Sequence, residues 1–267
     1  MIFGVTRFSV FSPSSNAWKS SREMDEESYK DYLFSDDRLS TRLLIMERFS
    51  LPILKAMMEV HDDYHHFITY SKELPQKFQV ALAEMVAGCK NLHLVEHKDL
   101  ANNFRCSIQA NAPQKSGLYA IFNLDDDDLI TGSYIDQLKV YLGRALEGWA
   151  ISFGLGVSAV FNKDRATFVD PRECYNPKIN IGLALINKYE ISEGAVDIGS
   201  LSRPSHTLMD RERVVVLSSK QIMWLWARHL EQDTLVNKDA DRILKDKQGQ
   251  MPKVSLDVLR CNFGIVC

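Results

Sequence analysis

The stretch LYAIFNL, Leu118 to Leu124, runs directly into four consecutive aspartates, Asp125 to Asp128. A nearly unbroken apolar run is what a strand covered on both faces looks like, and such strands belong to parallel sheets wrapped by helices. The aspartates then fall at the strand's carboxyl end, the edge at which open α/β sheets bind ligands. A chain built around this junction therefore carries its strongest charge feature where chemistry is done.

The flanking pattern agrees. Met1 to Val5 reads as a short buried strand, and strands recur at His65–Tyr70 and Leu92–Val95. Between them the spacing Leu39, Leu43, Met46, Phe49 is helical, and Pro52 is placed to open a second helix in LPILKAMM. Pro75 opens another, with Phe78, Leu82, Met85 and Val86 on one face before Gly88 ends it, and residues 99–110 are helical. This β-α-β-α-β-α-β order predicts a Rossmann-like sheet with helices on both faces. After Thr131, the positions Ile135, Leu138, Leu142, Ala145 and Leu146 form one more helical stripe. The rhythm then changes: WAISF, VSAVF, ATFVD and INIGLALI are short strands of a meander. A Gly/Ser/Pro-rich loop spans Glu193–Asp210, RVVVLSS reads as a strand, and KQIMWLWARHLEQ, residues 220–232, as a helix.

Length and composition narrow the class. At 267 residues, 45% hydrophobic and 25% charged, the chain suits one large packed domain or a domain with a small appendage. A net charge of −3 supplies no broad positive field, so nucleic acid is not an expected partner. No apolar run is long enough to span a bilayer and the start lacks the features of a signal peptide, so the expected location is cytoplasmic. Cys89, Cys106, Cys174, Cys261 and Cys267 are odd in number and scattered without a C-x-x-C pair, which predicts reduced thiols.

In an extended segment Asp125 and Asp127 share a face, about 7 Å apart at Cα. Carboxylates so placed repel one another, and a hard cation such as Mg²⁺ or Mn²⁺ is the usual relief. The competing reading is a solvated acidic turn in which Asp128 or Thr131 caps the next helix. The spacing of an EF-hand is missing, and so are a Walker A loop and a G-x-G-x-x-G. A bound nucleotide diphosphate would need a metal to neutralise it, which is the D-x-D logic of GT-A glycosyltransferases. Removing one charge from a repulsive cluster, as in Asp127→Asn, is expected to leave the metal-free fold intact. His61, Asp62, Asp63, His65 and His66 also crowd together, but in a strand His65 and His66 face opposite ways and cannot serve one ion.

The strings RFSV (Arg7–Val10), RLSTRLLIMERFSLPIL (Arg38–Leu54), HHFITYSKELP (His65–Pro75), NLDDDDLI (Asn123–Ile130) and RPSHTLM (Arg203–Met209) together resemble the rhamnosyltransferase family, itself similar to GT-A nucleotide-sugar transferases. The resemblance implies an α/β GT-A fold with a mixed central sheet. Residues 1–218 would form the transferase domain, with 1–128 the nucleotide-sugar-binding half and 129–218 the acceptor-side half. Residues 219–267 would be a C-terminal helical extension. It further implies Asp125 on the donor ribose or the metal, Asp127 as the direct metal ligand, and His206 as a later ligand brought by a mobile loop. Neutral imidazole suits Mn²⁺, and a Gly/Ser/Pro-rich loop can close over a nucleotide. Arg7, Ser71 and Asp126 join Asp125 on the donor side, Arg7 being suited to phosphate. An inverting reaction needs a carboxylate base, for which Asp164, Asp170 and Glu173 are the candidates in the acceptor-side half.

The expected activity is metal-dependent transfer of a sugar from a nucleotide-diphosphate donor to a glycan or other hydroxyl acceptor. Rhamnose is implied by the family name alone. Two alternatives are a metal-dependent nuclease or phosphohydrolase, since clustered aspartates also build two-metal sites, and a non-catalytic nucleotide- or glycan-binding protein.

Overall fold

A computed structural model describes residues 1–13, 24–201, 204–232 and 248–266. Four parallel strands form one half of the main sheet, in the order β3 (Leu92–Glu96), β2 (Tyr64–Tyr70), β1 (Ile2–Phe8), β4 (Ser116–Asp125). Beyond β4 lie β9 (Ala184–Ser192), antiparallel to it, then β6 (Ala150–Phe153) and β11 (Val215–Ser218), while β10 (Ala195–Asp197) pairs with β9. Because β6 is antiparallel to β9 and β9 to β4, the strands β1–β4, β6 and β11 point the same way. Their carboxyl ends share one edge, and Asp125 ends β4 on it.

Alternation along β1 explains why the sheet is covered twice. Ile2 and Phe8 join one apolar cluster with Leu39, Met46, Leu54, Phe78 and Leu82, whereas Phe3 and Val5 join another with Phe104, Ile108 and Met209. The first layer is α2 (Asp36–Ile45), α3 (Leu51–Val60) and α4 (Gln76–Val86); the second is α5 (Leu100–Asn111) and α7 (Met209–Glu212). The short helix α1 (Glu26–Leu33) precedes α2, with Asp25 capping it by accepting from the Ser28 N–H at 3.0 Å. α2 runs into α3 through a π turn, Met46–Ser50. Pro52 cannot donate to the carbonyl four residues earlier, and the widened turn lies where the ladder absorbs that loss. The expected helix after Thr131 is shorter than its stripe suggested, α6 covering Tyr134–Lys139.

The C-terminal segment requires a correction. Residues 220–232 were expected to be helical, but Trp224–Arg228 is strand β12 of a second sheet, in the order β5 (Leu129–Ile130), β12, β7 (Leu155–Asn162), β8 (Thr167–Tyr175). β12 pairs parallel with β7 and antiparallel with β5. A short apolar run does not by itself distinguish helix from strand, and here partner strands decide it. Gly156 makes the pairing possible: a Cβ there would come within 2.1 Å of the Trp224 ring. Leu225 and Ala227 point the other way, into a third apolar cluster with Ile45, Phe49 and Leu259, the last from α8 (Asp257–Phe263). Among the described residues no helix is long and apolar enough to cross a membrane. Cys89, Cys106, Cys174 and Cys261 are free thiols, as expected, and Cys267 lies outside the described residues.

The neighbouring histidines of β2 face opposite ways, as the strand reading required. His65 stacks on His93, while His66 is fully buried between Thr6 Oγ1 at 2.9 Å and Tyr64 Oη at 2.7 Å. Burial, reinforced by His93, pushes the His66 imidazole down to about 3. The unfolded chain therefore binds more protons than the folded one between that value and the ordinary histidine value. The contribution is complete above about pH 6.5 and is lost as the pH falls, on the order of 2 kcal/mol between pH 7 and 5 for this one ring. Urea unfolding should show that decline in the wild type and a flatter profile in His66→Asn, which starts from lower stability. Parallel profiles for the two proteins would contradict a neutral buried His66.

Candidate active site

The four aspartates do not continue as strand. The Asp128 N–H donates to the Asp125 carbonyl at 3.2 Å, so the chain turns at Asp126 and Asp127. This corrects the expectation that Asp125 and Asp127 share an extended face. Asp125 is the accessible one, its side chain 39% exposed, with Arg7 Nη2 at 3.6 Å and Asn180 Nδ2 at 3.5 Å. Arg7 and Asp125 are register partners at the ends of β1 and β4, which is why they meet. The other three are buried.

Each buried carboxyl has its own partners. Asp126 accepts from the Ser9 N–H at 3.1 Å and touches Arg42 Nη1, while Arg38 Nη1 donates to Ser9 Oγ at 2.7 Å. Ser9 has φ of 47°, a left-handed conformation that a non-glycine residue holds only when its surroundings impose it. Asp126 therefore shapes the end of β1 rather than facing the donor side, where it was expected. Asp127 Oδ2 lies 3.1 Å from Arg42 Nη1 and 2.9 Å from His229 Nε2. Asp128 Oδ1 accepts the Ala227 N–H at 3.0 Å, tying the turn to β12.

Electrostatics separates these groups. Burial pulls the Asp127 carboxyl upward, but Arg42 and His229 outweigh it and hold the group well below the usual carboxylate range. Burial wins at Asp126 despite Arg42, raising it, and at Asp128 burial and the neighbouring aspartates together favour the neutral acid. His229 is also buried, which would lower it, yet Asp127 and Glu231 raise it above the ordinary value. Its second nitrogen, Nδ1, lies 3.1 Å from Glu231 Oε2, so both ring nitrogens face carboxylate oxygens. Two acceptors around one imidazole call for a doubly protonated ring or for a cation between ring and carboxylate.

The residues fit a divalent ion in part. Asp127 Oδ2 and His229 Nε2 are 2.9 Å apart, close to the ~3 Å between adjacent donors of an octahedral ion with ~2.1 Å bonds. A carboxylate on the far nitrogen of the imidazole is the usual support of a metal-binding histidine. Among the described residues no three His, Cys, Asp or Glu side chains converge to form a cage. Such a pair suits an ion that shares its coordination with phosphate oxygens.

The remaining sequence candidates lie elsewhere. His206 is not gathered with Asp125 and Asp127; its Nδ1 donates to the Lys178 carbonyl at 2.8 Å, in the segment that also carries Asn180. Lys178 Nζ in turn holds Asp210 at 2.6 Å. Residues 202–203 of that loop are outside the described residues. Ser71 is buried at the end of β2 and its Oγ accepts the Phe11 N–H at 2.7 Å. Asp164 lies in the turn between β7 and β8, Asp170 pairs with Arg172 at 2.8 Å, and Glu173 sits on β8 with its N–H on the Pro252 carbonyl. A groove of about 490 Å³ lined by Phe49, Pro52, Ile53, His61 and Phe263 includes none of the aspartate-site residues.

Arg38, Arg42 and His229 are the site residues that sequence reasoning passed over. The signal for the arginines was their spacing: four apart, they share a helix face with the apolar stripe of α2, and a buried stripe carrying two cations needs anions opposite. His229 gave no such signal, since its place depends on β12 being a strand.

An open α/β sheet, parallel through β4 and closed by an antiparallel strand, with an acidic turn at its carboxyl edge, is a GT-A-like transferase fold. The family model described as "Putative rhamnosyl transferase" matches residues 1–239; the chain belongs to that family and is a glycosyltransferase. No curated protein is significantly similar to it in sequence. Among solved structures, a "Putative Glucose-1-Phosphate Thymidylyltransferase" from Bacillus anthracis in complex with sucrose is 8% identical, over 96% of this chain and 98% of that one, with a TM-score of 0.36. S. aureus TarS 1–349 is 10% identical over 93% and 69%, with a TM-score of 0.35. The inositol-1-phosphate CTP transferase of T. maritima is 11% identical over 93% and 96%, with a TM-score of 0.31. At such scores these likenesses carry no argument, and it is the family match that sets the nuclease reading aside.

The ion pairs reverse one expectation from the sequence. Asp127→Asn leaves Arg42 and His229 facing an amide, and should destabilise the protein by about 3–5 kcal/mol. Asp128→Asn keeps an acceptor for the Ala227 N–H and removes no charge, so it should change stability by less than about 1 kcal/mol. Denaturant unfolding at neutral pH compares the two, and equal losses would contradict the assignment of Asp127 as the paired anion.

Proposed function

We propose that this glycosyltransferase takes its sugar from a nucleotide-diphosphate donor in a reaction that depends on Mn²⁺ or Mg²⁺. The observation that carries the proposal is the contact between Asp127 and His229 at the carboxyl edge of the main sheet, backed by Glu231. Asp127 and His229 would hold the ion; when bound, it would offset charge developing on the departing diphosphate. Asp125 and Arg7, the accessible pair beside them, are placed for the donor ribose and diphosphate. The turn geometry supports a division of labour: Asp126 and Asp128 fix the backbone, and Asp125 and Asp127 meet the ligand. The acceptor is a glycan or other hydroxyl compound, approaching from the β6–β11 side of the same edge. The family description makes a rhamnose-bearing donor the first to try.

The test is release of nucleoside diphosphate from a panel of nucleotide sugars, rhamnose donors included, in the presence of Mn²⁺. Release should occur with at least one donor and vanish with EDTA. It should fall by roughly 100-fold in His229→Gln, as loss of a metal-ordering group does, and by little in Asp164→Asn. Release that survives EDTA would overturn the metal dependence, and an unaffected His229→Gln would overturn the ligand assignment.

A further inference from the structure

One residue of the site touches neither the accessible pair nor the imidazole, yet contacts two of the aspartates. Arg42 Nη1 meets Asp126 Oδ1 and lies 3.1 Å from Asp127 Oδ2, with side-chain exposures of 6% for Arg42, 3% for Asp126 and 8% for Asp127. A guanidinium with so little water around it interacts strongly with whatever charge shares its pocket. Arg38, one helical turn away, adds a second buried cation over the same carboxylates, and Arg7 faces Asp125 at 3.6 Å. Three guanidiniums thus stand against three carboxylates before any ligand arrives. Asp128 is outside this balance, engaged by the Ala227 N–H.

A site already balanced has little to offer a free divalent ion. The ion would gain Asp127 and would meet the Arg42 cation beside it. An ion that arrives on a diphosphate brings its own negative charge, and the same guanidiniums then favour it. We propose that Arg42 is the resident counter-ion of this site: it holds Asp127 in place without metal and makes cation binding conditional on the nucleotide's diphosphate. Arg42 is a positioning residue in this scheme, acting through Asp127. The proposal rests on the metal-dependent reading given above.

The consequence is a gain of binding when a residue is removed, which structural damage does not produce. Calorimetry with MnCl₂ alone should show no saturable binding to the wild type at submillimolar concentration, and binding should emerge when nucleoside diphosphates are added. Arg42→Met should bind Mn²⁺ alone about tenfold or more tightly than the wild type does. Its melting temperature, lowered by the unpaired carboxylates, should rise on adding Mn²⁺ alone. Arg42→Lys, which retains the charge, should resemble the wild type. Equal Mn²⁺ affinity in wild type and Arg42→Met would overturn the counter-ion role while leaving metal dependence standing. Absence of Mn²⁺ binding in every protein, with or without any nucleoside diphosphate, would overturn both. Should Arg42→Met fail to fold, the wild type alone still decides: Mn²⁺ bound as tightly without nucleotide as with it would contradict the proposal.

Discussion

Three buried carboxyl groups in consecutive residues cannot stand at the end of a core strand unless something else in the fold meets their charge. In this protein Arg42 does so for two of them, reaching from α2 to Asp126 and Asp127. The arrangement depends on that helix lying flat against the sheet, which its apolar stripe secures through Leu39 and Ile45. Breaking such a pair exposes one buried charge to an apolar environment, a far larger penalty than the pair's net stabilisation. The helix, the strand end and the acidic turn are therefore fixed with respect to one another before any ligand binds.

The second sheet completes the same cluster from the opposite direction. β12 delivers Ala227 to Asp128 and His229 to Asp127, 99 and 102 residues downstream of their partners. Its own position is set by Gly156, which lets the Trp224 ring lie against β7, and by the Trp224 indole donating to the Phe153 carbonyl at 2.6 Å. A packing detail remote from the aspartates thus decides where the imidazole stands. The Arg228 guanidinium, 3.4 Å from the Trp226 ring centroid and bonded to Ser158, fixes the residue just before it. Rigid elements on both sides are what a site needs if its donors are to be in place before the ligand arrives.

Much of this was legible in the sequence. The unbroken apolar run of β4 announced a doubly covered strand, the helical stripes placed α2 to α5, and the location of the aspartates after β4 pointed to the ligand edge. What the sequence did not disclose depends on tertiary partners. Residues 224–228 are too few and too uniformly apolar for periodicity to separate strand from helix, and only β5 and β7 resolve them. Misreading that strand hid His229 and left His206, on a loop of suitable composition, as the apparent histidine of the site. Extended geometry was assumed for Asp125–Asp127 because the preceding residues were extended; the turn arises from the Asp128–Asp125 hydrogen bond and from the three separate anchors of Asp126, Asp127 and Asp128. The arginine pair of α2 was visible as spacing but acquires meaning only once its anions are known.

The central claim is that Asp127 and His229 act together on a divalent ion at the carboxyl edge of the sheet. Pulsed electron paramagnetic resonance of Mn²⁺ bound with nucleoside diphosphate reads a coordinated imidazole nitrogen directly. The account predicts a nitrogen coupling in the wild type that persists in His206→Gln and disappears in His229→Gln. A coupling that survives in His229→Gln, or one lost only in His206→Gln, would contradict it.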